Sequence, residues 1–207
     1  MKVYFVRHGE SEGNKAQLHQ GIGMPLSETG REQAQKVAER LKKFELDLIL
    51  ASPVTRAKET ADIISKATNV PVRELKELSE VKGPSELTGM SVKNPEAIKV
   101  KKLIWENYTK GNWKYSDEEN FEDLNPRVQT FLDHLLKNYK DKNIVCVSHA
   151  TLIKFIVCKM VFGTELTPTI FHLFFHHFWA SNTGLTVCEY EDESGWWIRH
   201  FNDVSHL

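Results

Sequence analysis

The sequence predicts an α/β fold: three layers, α/β/α, around a mostly parallel central sheet, with a helical insertion. Three observations carry this expectation. The runs "VYFV" (3–6), "LDLIL" (46–50) and "NIVCV" (143–147) are short, continuous and apolar, as strands buried on both faces tend to be. Amphipathic segments with helical periodicity fill the intervals between them. Strands alternating with helices require a sheet covered on both sides.

In chain order, the first strand is 3–6. After Ser27, the residues Ala34, Val37, Ala38 and Leu41 recur at helical spacing. The second strand, 46–50, runs into Ser52-Pro53, which reads as an N-cap and an N1 proline for a helix carrying Ala57, Ala61 and Ile64. Residues 81–120 are polar and break the rhythm, with a helix expected around 100–108, and read as an inserted lid-like segment. Phe121, Leu124, Val128, Leu132 and Leu135 mark a longer helix before the third strand, and another helix should follow Ala150. The C-terminal stretch "GLTVCEYEDESGWWIRHF" reads as an antiparallel hairpin turning at 191–195, at the sheet edge. All of this fits one domain over residues 1–207.

Composition narrows the function. The chain is 41% apolar and 27% charged, and no apolar tract is long enough to span a bilayer. A net charge of −1 supplies no global field for nucleic acid or an anionic membrane, so neither is expected as a partner. The apolar run before Arg7 is too short for a signal-peptide core, and a cytoplasmic protein is expected. Cys146, Cys158 and Cys188 are odd in number, lie in apolar runs and form no CxxC, as free core thiols would.

The chemistry gathers at one edge. Ligands of open parallel sheets bind beyond the carboxyl ends of the strands. There the first strand ends in Arg7-His8, the third ends in His149, and the second leads to Arg56. If the first and third strands are neighbours, about 4.8 Å apart, two histidines and two arginines face one small volume. Arginine forks suit phosphate oxygens, and an imidazole between them suits phosphoryl transfer. A lone histidine at a strand end is usually a surface residue. Four such groups at one edge, flanked by the small residues Gly9 and Ala150, favour an anion-binding active site.

These residues carry a resemblance. "RHGES" with Asn14, "PLSETGREQA" (25–34), "SPVTRAKETA" (52–61), "VSHATLI" (147–153) and "FNDVSHL" (201–207) are similar, in order, to the motif blocks of the histidine phosphatases, the phosphoglycerate mutase-like superfamily. The likeness spans nearly the whole chain. It implies that His8 is a nucleophile forming a phosphohistidine, with Arg7, Arg56 and His149 holding the phosphoryl oxygens. Asn14, Gln20 and Gly21 join them as substrate-binding positions. It also implies hydrolysis of a small-molecule phosphate ester with no cofactor and no metal. The family's general acid is a glutamate in an LxE motif, which occurs twice here, ending at Glu77 and at Glu80. Nearness to the following turn favours Glu80, with Glu77 as the alternative. That turn, "KGPSELTG", departs from the family's glycine-rich pattern.

Other readings stay open. A cofactor-dependent phosphoglycerate mutase uses the same machinery, although the short chain and its aromatic segment favour a phosphatase. A catalytically idle phosphate-binding module is the third option. His172, His176 and His177 approach helical spacing, but the interleaved Phe171, Phe174, Phe175, Phe178 and Trp179 favour packing over metal binding. Those aromatics suit either plain core or a wall for the leaving group. Oligomeric state is not legible, a homodimer included.

Overall fold

The computed structural model describes residues 1–207. Its elements are β1 (Lys2–Arg7), α1 (Glu12–Lys15), α2 (Glu28–Leu41), β2 (Leu48–Ala51), α3 (Thr55–Thr68), β3 (Val72–Glu74), α4 (Pro95–Asn107), α5 (Phe121–Tyr139), β4 (Asn143–Ser148), α6 (Ala150–Phe162), α7 (Pro168–His177), β5 (Leu185–Glu191) and β6 (Gly195–Asp203). They form one six-stranded sheet in the order β3-β2-β4-β1-β5-β6. Strands β3, β2, β4 and β1 pair in parallel; β5 runs antiparallel to β1 and pairs with β6 as a hairpin at the edge.

Alternation along the strands sends side chains to two cores. Val3, Phe5, Leu50, Ile144 and Cys146 face α5 and α6, packing on Phe131, Leu135, Phe155 and Ile156. Tyr4, Val6, Ile49, Val145 and Val147 face α2 and α3, packing on Val37, Leu41, Ala57 and Ile64. The two faces of one sheet therefore build the expected three layers. No helix is long and apolar enough to cross a membrane. All three cysteines are buried and unbridged.

Residues 81–120 leave the sheet, and their helix α4 has only a small core of its own, Leu87, Ala97 and Val100. Its outer end docks on α7 instead. The Trp105 ring lies 4.6 Å from Phe175, 5.2 Å from His172 and 5.1 Å from His176, centroid to centroid. The root of the excursion pairs with the loop after α1 through a bridge between Leu18 and Ser91.

Two expectations need correction. Ser52 is not an N-cap: α3 begins at Thr55 behind Val54, without a side-chain cap. The Ser52 hydroxyl is engaged elsewhere, 2.8 Å from His149 Nε2, because β2 and β4 are neighbours and their ends meet. The three-residue strand β3 was not expected, since its "VRE" is exposed at an edge and too short for a periodic signal. The aromatic segment resolves into a helix, α7. Phe171 lies in the core, whereas Trp179, just beyond the helix, is 76% exposed.

Candidate active site

The site forms where β1 and β4 end side by side. Their register pairs Arg7 with Ser148, and His8 N donates to Ser148 O at 2.9 Å. The two histidine rings that follow lie 5.1 Å apart, centroid to centroid. Behind His8, the chain crosses the start of α2 at backbone contact. A Cβ on Gly9 would sit 2.3 Å from Gly30 O, and one on Gly30 would sit 1.8 Å from Glu10 O. Only glycines allow this crossing. Gly9 N also donates to Thr60 Oγ1 at 3.1 Å, tying the loop to α3.

His8 is held in one tautomer. Its Nδ1 lies 2.7 Å from Gly9 O, a carbonyl that can only accept, so Nδ1 carries the proton. Its Nε2 receives a hydrogen bond from Arg56 Nε at 3.2 Å and is therefore the lone-pair nitrogen. Burial pushes the His8 pKa well below its usual value, with Arg56 and then Arg7 adding to the effect and the Gly9 carbonyl opposing it. The ring is neutral at pH 7.

His149 is the N-cap residue of α6 and fully buried. Burial lowers its pKa well below the usual value, with His8, Arg56, Arg7 and Arg127 adding. Its Nδ1 is buried without a protein partner, as is Arg7 Nε. Arg7 Nη1 donates to Ala180 O at 2.6 Å, and Arg56 Nη1 donates to Gly21 O at 2.9 Å. Buried polar atoms are rarely left unpaired. Two of them beside a pair of guanidinium groups suit a tetrahedral oxyanion.

Glu80 reaches this group from the far side. Its carboxylate accepts from Val81 N at 2.9 Å, Leu152 N at 3.1 Å and Thr151 N at 3.3 Å, so it sits on the N-terminus of α6. Arg7, Arg56, Lys101 and Lys154 each feel its charge. Glu77 contributes only its carbonyl, which accepts from Arg127 Nη1 at 2.8 Å. A charged cleft beside Glu80, lined in part by Lys76, Lys82, Asp117 and Arg127, touches none of Arg7, His8, Arg56 or His149.

The remaining expected residues lie around His8. Asn14 Oδ1 accepts from Ser11 N at 3.2 Å and Asn14 N donates to Ser11 Oγ at 3.1 Å, the reciprocal pair of the α1 capping box. Gln20 Oε1 accepts from Ser11 Oγ at 2.6 Å, and Gly21 supplies the carbonyl that orients Arg56. Four residues had escaped the sequence reading. Asn182 Nδ2 donates to His8 O at 3.0 Å. Arg127 ties down the loop before Glu80, and Lys101 and Lys154 flank Glu80 electrostatically. Only Lys154 had a sequence signal, a lysine inside the otherwise apolar "TLIKFIV".

Paired histidines and arginines at the carboxyl edge of a mostly parallel sheet suit the binding of a phosphate group. The family model for the histidine phosphatase superfamily (branch 1) matches residues 3–204, and the chain belongs to that family. It is 30% identical to the uncharacterized phosphatase PhoE of Bacillus subtilis, over 99% of this chain and 96% of the relative. It is 28% identical to the probable phosphoglycerate mutase GpmB of Photorhabdus laumondii, over 100% of this chain and 95% of the relative. Among solved structures, the phosphoserine phosphatase of Entamoeba histolytica in complex with 3-phosphoglyceric acid superposes with a TM-score of 0.81. That match has 26% identity and covers 100% of this chain and 98% of that one.

Proposed function

We propose that this protein hydrolyses phosphate monoesters through a phosphohistidine at His8, without a metal ion. One observation carries the reading: the Nδ1 contact to Gly9 O leaves His8 Nε2 as the unprotonated nitrogen, its lone pair accepting from Arg56 Nε between two arginines. In the first step Nε2 attacks phosphorus in line. The P–O bond to the alcohol breaks, and Glu80 in its acid form gives the departing oxygen its proton. Arg7, Arg56 and His149 stabilise the transferring oxygens by positioned charge and hydrogen bonds. In the second step water attacks the phosphohistidine and gives its proton to Glu80. Phosphate leaves, and His8 and Glu80 return to their starting states.

The same machinery serves a mutase when an acceptor alcohol replaces water. Hydrolysis is favoured here because α4 and α7 close the outer side with aromatic rings, Trp105, Tyr108 and Phe175 among them. The test is a single-turnover reaction with labelled ester in the presence of EDTA, quenched in alkali because phosphohistidine is acid-labile. Label on His8, followed by release of free phosphate, supports the reading. Label on another residue, or a divalent-ion requirement, overturns the mechanism. Transfer to 2-phosphoglycerate primed by 2,3-bisphosphoglycerate, without net phosphate release, would favour the mutase.

A further inference from the structure

The block "FNDVSHL" (201–207) takes no part in the chemistry above, yet Asn202 in it reaches the site through a single peptide unit. Asn202, near the end of β6, has φ 53°, a left-handed conformation that asparagine tolerates. Its Oδ1 accepts from Ser181 N at 2.6 Å, and its Nδ2 donates to Ser181 Oγ at 3.3 Å. The carbonyl of that same peptide unit, Ala180 O, accepts from Arg7 Nη1 at 2.6 Å. It is the one acceptor that the Arg7 guanidinium has in the chain, while Arg7 Nε is buried with no partner. The residues that follow hold the backbone behind the site. Thr183 N donates to Arg7 O at 3.0 Å, and Asn182 Nδ2 donates to His8 O at 3.0 Å. Their turn closes with Gly184 N on Ser181 O at 2.9 Å and puts Thr183 at φ 54°, where a β-branched residue is an outlier. Such a turn persists only when its surroundings hold it. Asn202 does so at Ser181, and Thr183 Oγ1 lies 3.2 Å from His206 Nε2. The tail is itself anchored on α2, through Arg40 to Asp203 and to Ser205 Oγ at 2.9 Å.

We propose that Asn202 is a positioning residue for Arg7, acting through the Ala180–Ser181 peptide. The proposal rests on the reading that Arg7 holds the phosphoryl oxygens. A trans peptide unit is planar, with its N–H and C=O pointing to opposite sides. Whatever fixes the direction of Ser181 N–H therefore fixes the direction from which Ala180 O meets Arg7. The guanidinium is planar too, so tying down Nη1 sets the directions of its remaining N–H groups. Two hydrogen bonds of 2.6 Å, one on each end of a single peptide, thus carry the orientation from Asn202 to the fork. Hydrogen bonds linked in this way also polarise one another. The amide has no room to swing away, because a Cβ on Gly184 would sit 2.1 Å from Asn202 Oδ1. The C-terminal block accordingly acts on the anion site at one remove, without touching the anion.

The test is a double-mutant cycle on the binding of inorganic phosphate, read by calorimetry. Asn202→Gly removes the amide and keeps the left-handed backbone without strain. Phosphate affinity should fall at least fivefold, with the binding stoichiometry still near one. In an Arg7→Met background the same substitution should change affinity less than twofold, because the residue it orients is gone. Asn202→Asp keeps an acceptor for Ser181 N and lets Ser181 Oγ donate, so it should bind phosphate within threefold of wild type. Gly184→Ala leaves Asn202 in place but puts a methyl 2.1 Å from its Oδ1. It should repeat the Asn202→Gly pattern, and it serves if that variant does not fold. Unchanged affinity overturns the proposal, as does an equal loss with and without Arg7. A loss of stoichiometry in place of affinity also overturns it, since Asn202 would then only support the fold. A separate arm measures wild-type release of phosphate from p-nitrophenyl phosphate. Failure there overturns the hydrolytic reading, while the phosphate cycle still reports on Asn202 and Arg7.

Discussion

Arg56 Nε donates to His8 Nε2 at 3.2 Å, a guanidinium resting on the lone pair of the proposed nucleophile. The contact has two consequences. It keeps the nitrogen unprotonated, since a positive neighbour opposes a second proton on the ring. In the proposed reaction it also brings a stabilising charge to the atom that would receive the phosphoryl group. In that reaction an entering phosphate takes Arg56 over from His8, and binding would thereby uncover the lone pair.

The first prediction concerns pH. His8 and His149 both have pKa values lowered well below 6.5, mainly by burial. The unfolded chain takes up protons at both as pH falls through about 6.5, and the folded chain does not. The unfolded state then binds more protons, so stability falls with falling pH, by at most ~1.4 kcal/mol per pH unit for each histidine. The melting temperature should drop between pH 7 and pH 5, and the slope should flatten in His149→Asn. The acid limb of kcat/KM should lie below 6.5, because protonation of His8 is what removes the nucleophile. A limb at or above 6.5 that tracks His8 would contradict the neutral, buried ring.

Backbone contact makes the second prediction. Gly30→Ala puts a methyl 1.8 Å from Glu10 O, an atom in the loop that follows His8. Overpacking of this kind costs about 3 kcal/mol, or roughly 6–12 °C in melting temperature for a domain of this size. Turnover should fall with it, because the displaced segment carries the nucleophile. Gly23→Ala, with nothing within 4 Å of its added methyl, is the matched control and should leave both unchanged. Equal effects of the two substitutions would show that the crossing is not tight.

The third prediction follows from Arg127. Its Nη1 donates to Glu77 O at 2.8 Å and Ser79 O at 2.9 Å, while Nε and Nη2 pair with the Glu119 carboxylate at 2.7 and 2.8 Å. One side chain on α5 thus holds the loop that presents Glu80. It is a positioning residue, and Arg127→Lys, which keeps the charge but loses the fork, should loosen that loop. Turnover of an alkyl phosphate should fall at least tenfold, with a smaller fall for p-nitrophenyl phosphate, whose leaving group needs little proton donation. A uniform loss across both esters would mean that Arg127 only supports the fold.

Much of this was legible in the sequence, for reasons that vary by residue. Strands β1, β2 and β4 announce themselves because both their faces are buried and their central positions are continuously apolar. Helices α2 and α5 each keep one apolar stripe. Arg7, His8 and His149 follow from strand ends, which are local features. Ser52 was misread because a serine before a proline is a local capping signal, whereas its actual partner, His149, is 97 residues away. Arg127, Asn182 and Lys101 were missed for the same reason. Each acts through contacts or charges that only the assembled fold brings near, and none sits in a motif.

The last prediction assigns the acid. Glu77 and Glu80 stand three residues apart in duplicate LxE motifs, and the fold treats them differently. The Glu80 carboxylate sits on the N-terminus of α6, within the field of Arg7 and Arg56. Glu77 offers its carbonyl to Arg127, and its side chain is not among the charges that Arg7 and Arg56 feel. An alkoxide is a poor leaving group and needs a proton as the P–O bond breaks, whereas nitrophenolate hardly does. General acid catalysis contributes about 10²–10⁴-fold. Glu80→Gln should therefore lose most of that factor on an alkyl phosphate. On p-nitrophenyl phosphate the phosphorylation step should lose much less. Some deficit should remain even there, because the same carboxylate is needed to activate water against phospho-His8. Glu77→Gln should leave both substrates within about threefold of wild type, since its carbonyl and its contact with Arg127 are kept. Burst kinetics with the aryl ester separate the two steps: Glu80→Gln should show a near-normal burst and a slowed steady state. If Glu77→Gln gives that pattern and Glu80→Gln does not, the acid is Glu77, three residues earlier. If neither variant discriminates between leaving groups, the departing oxygen takes its proton from another group in the site.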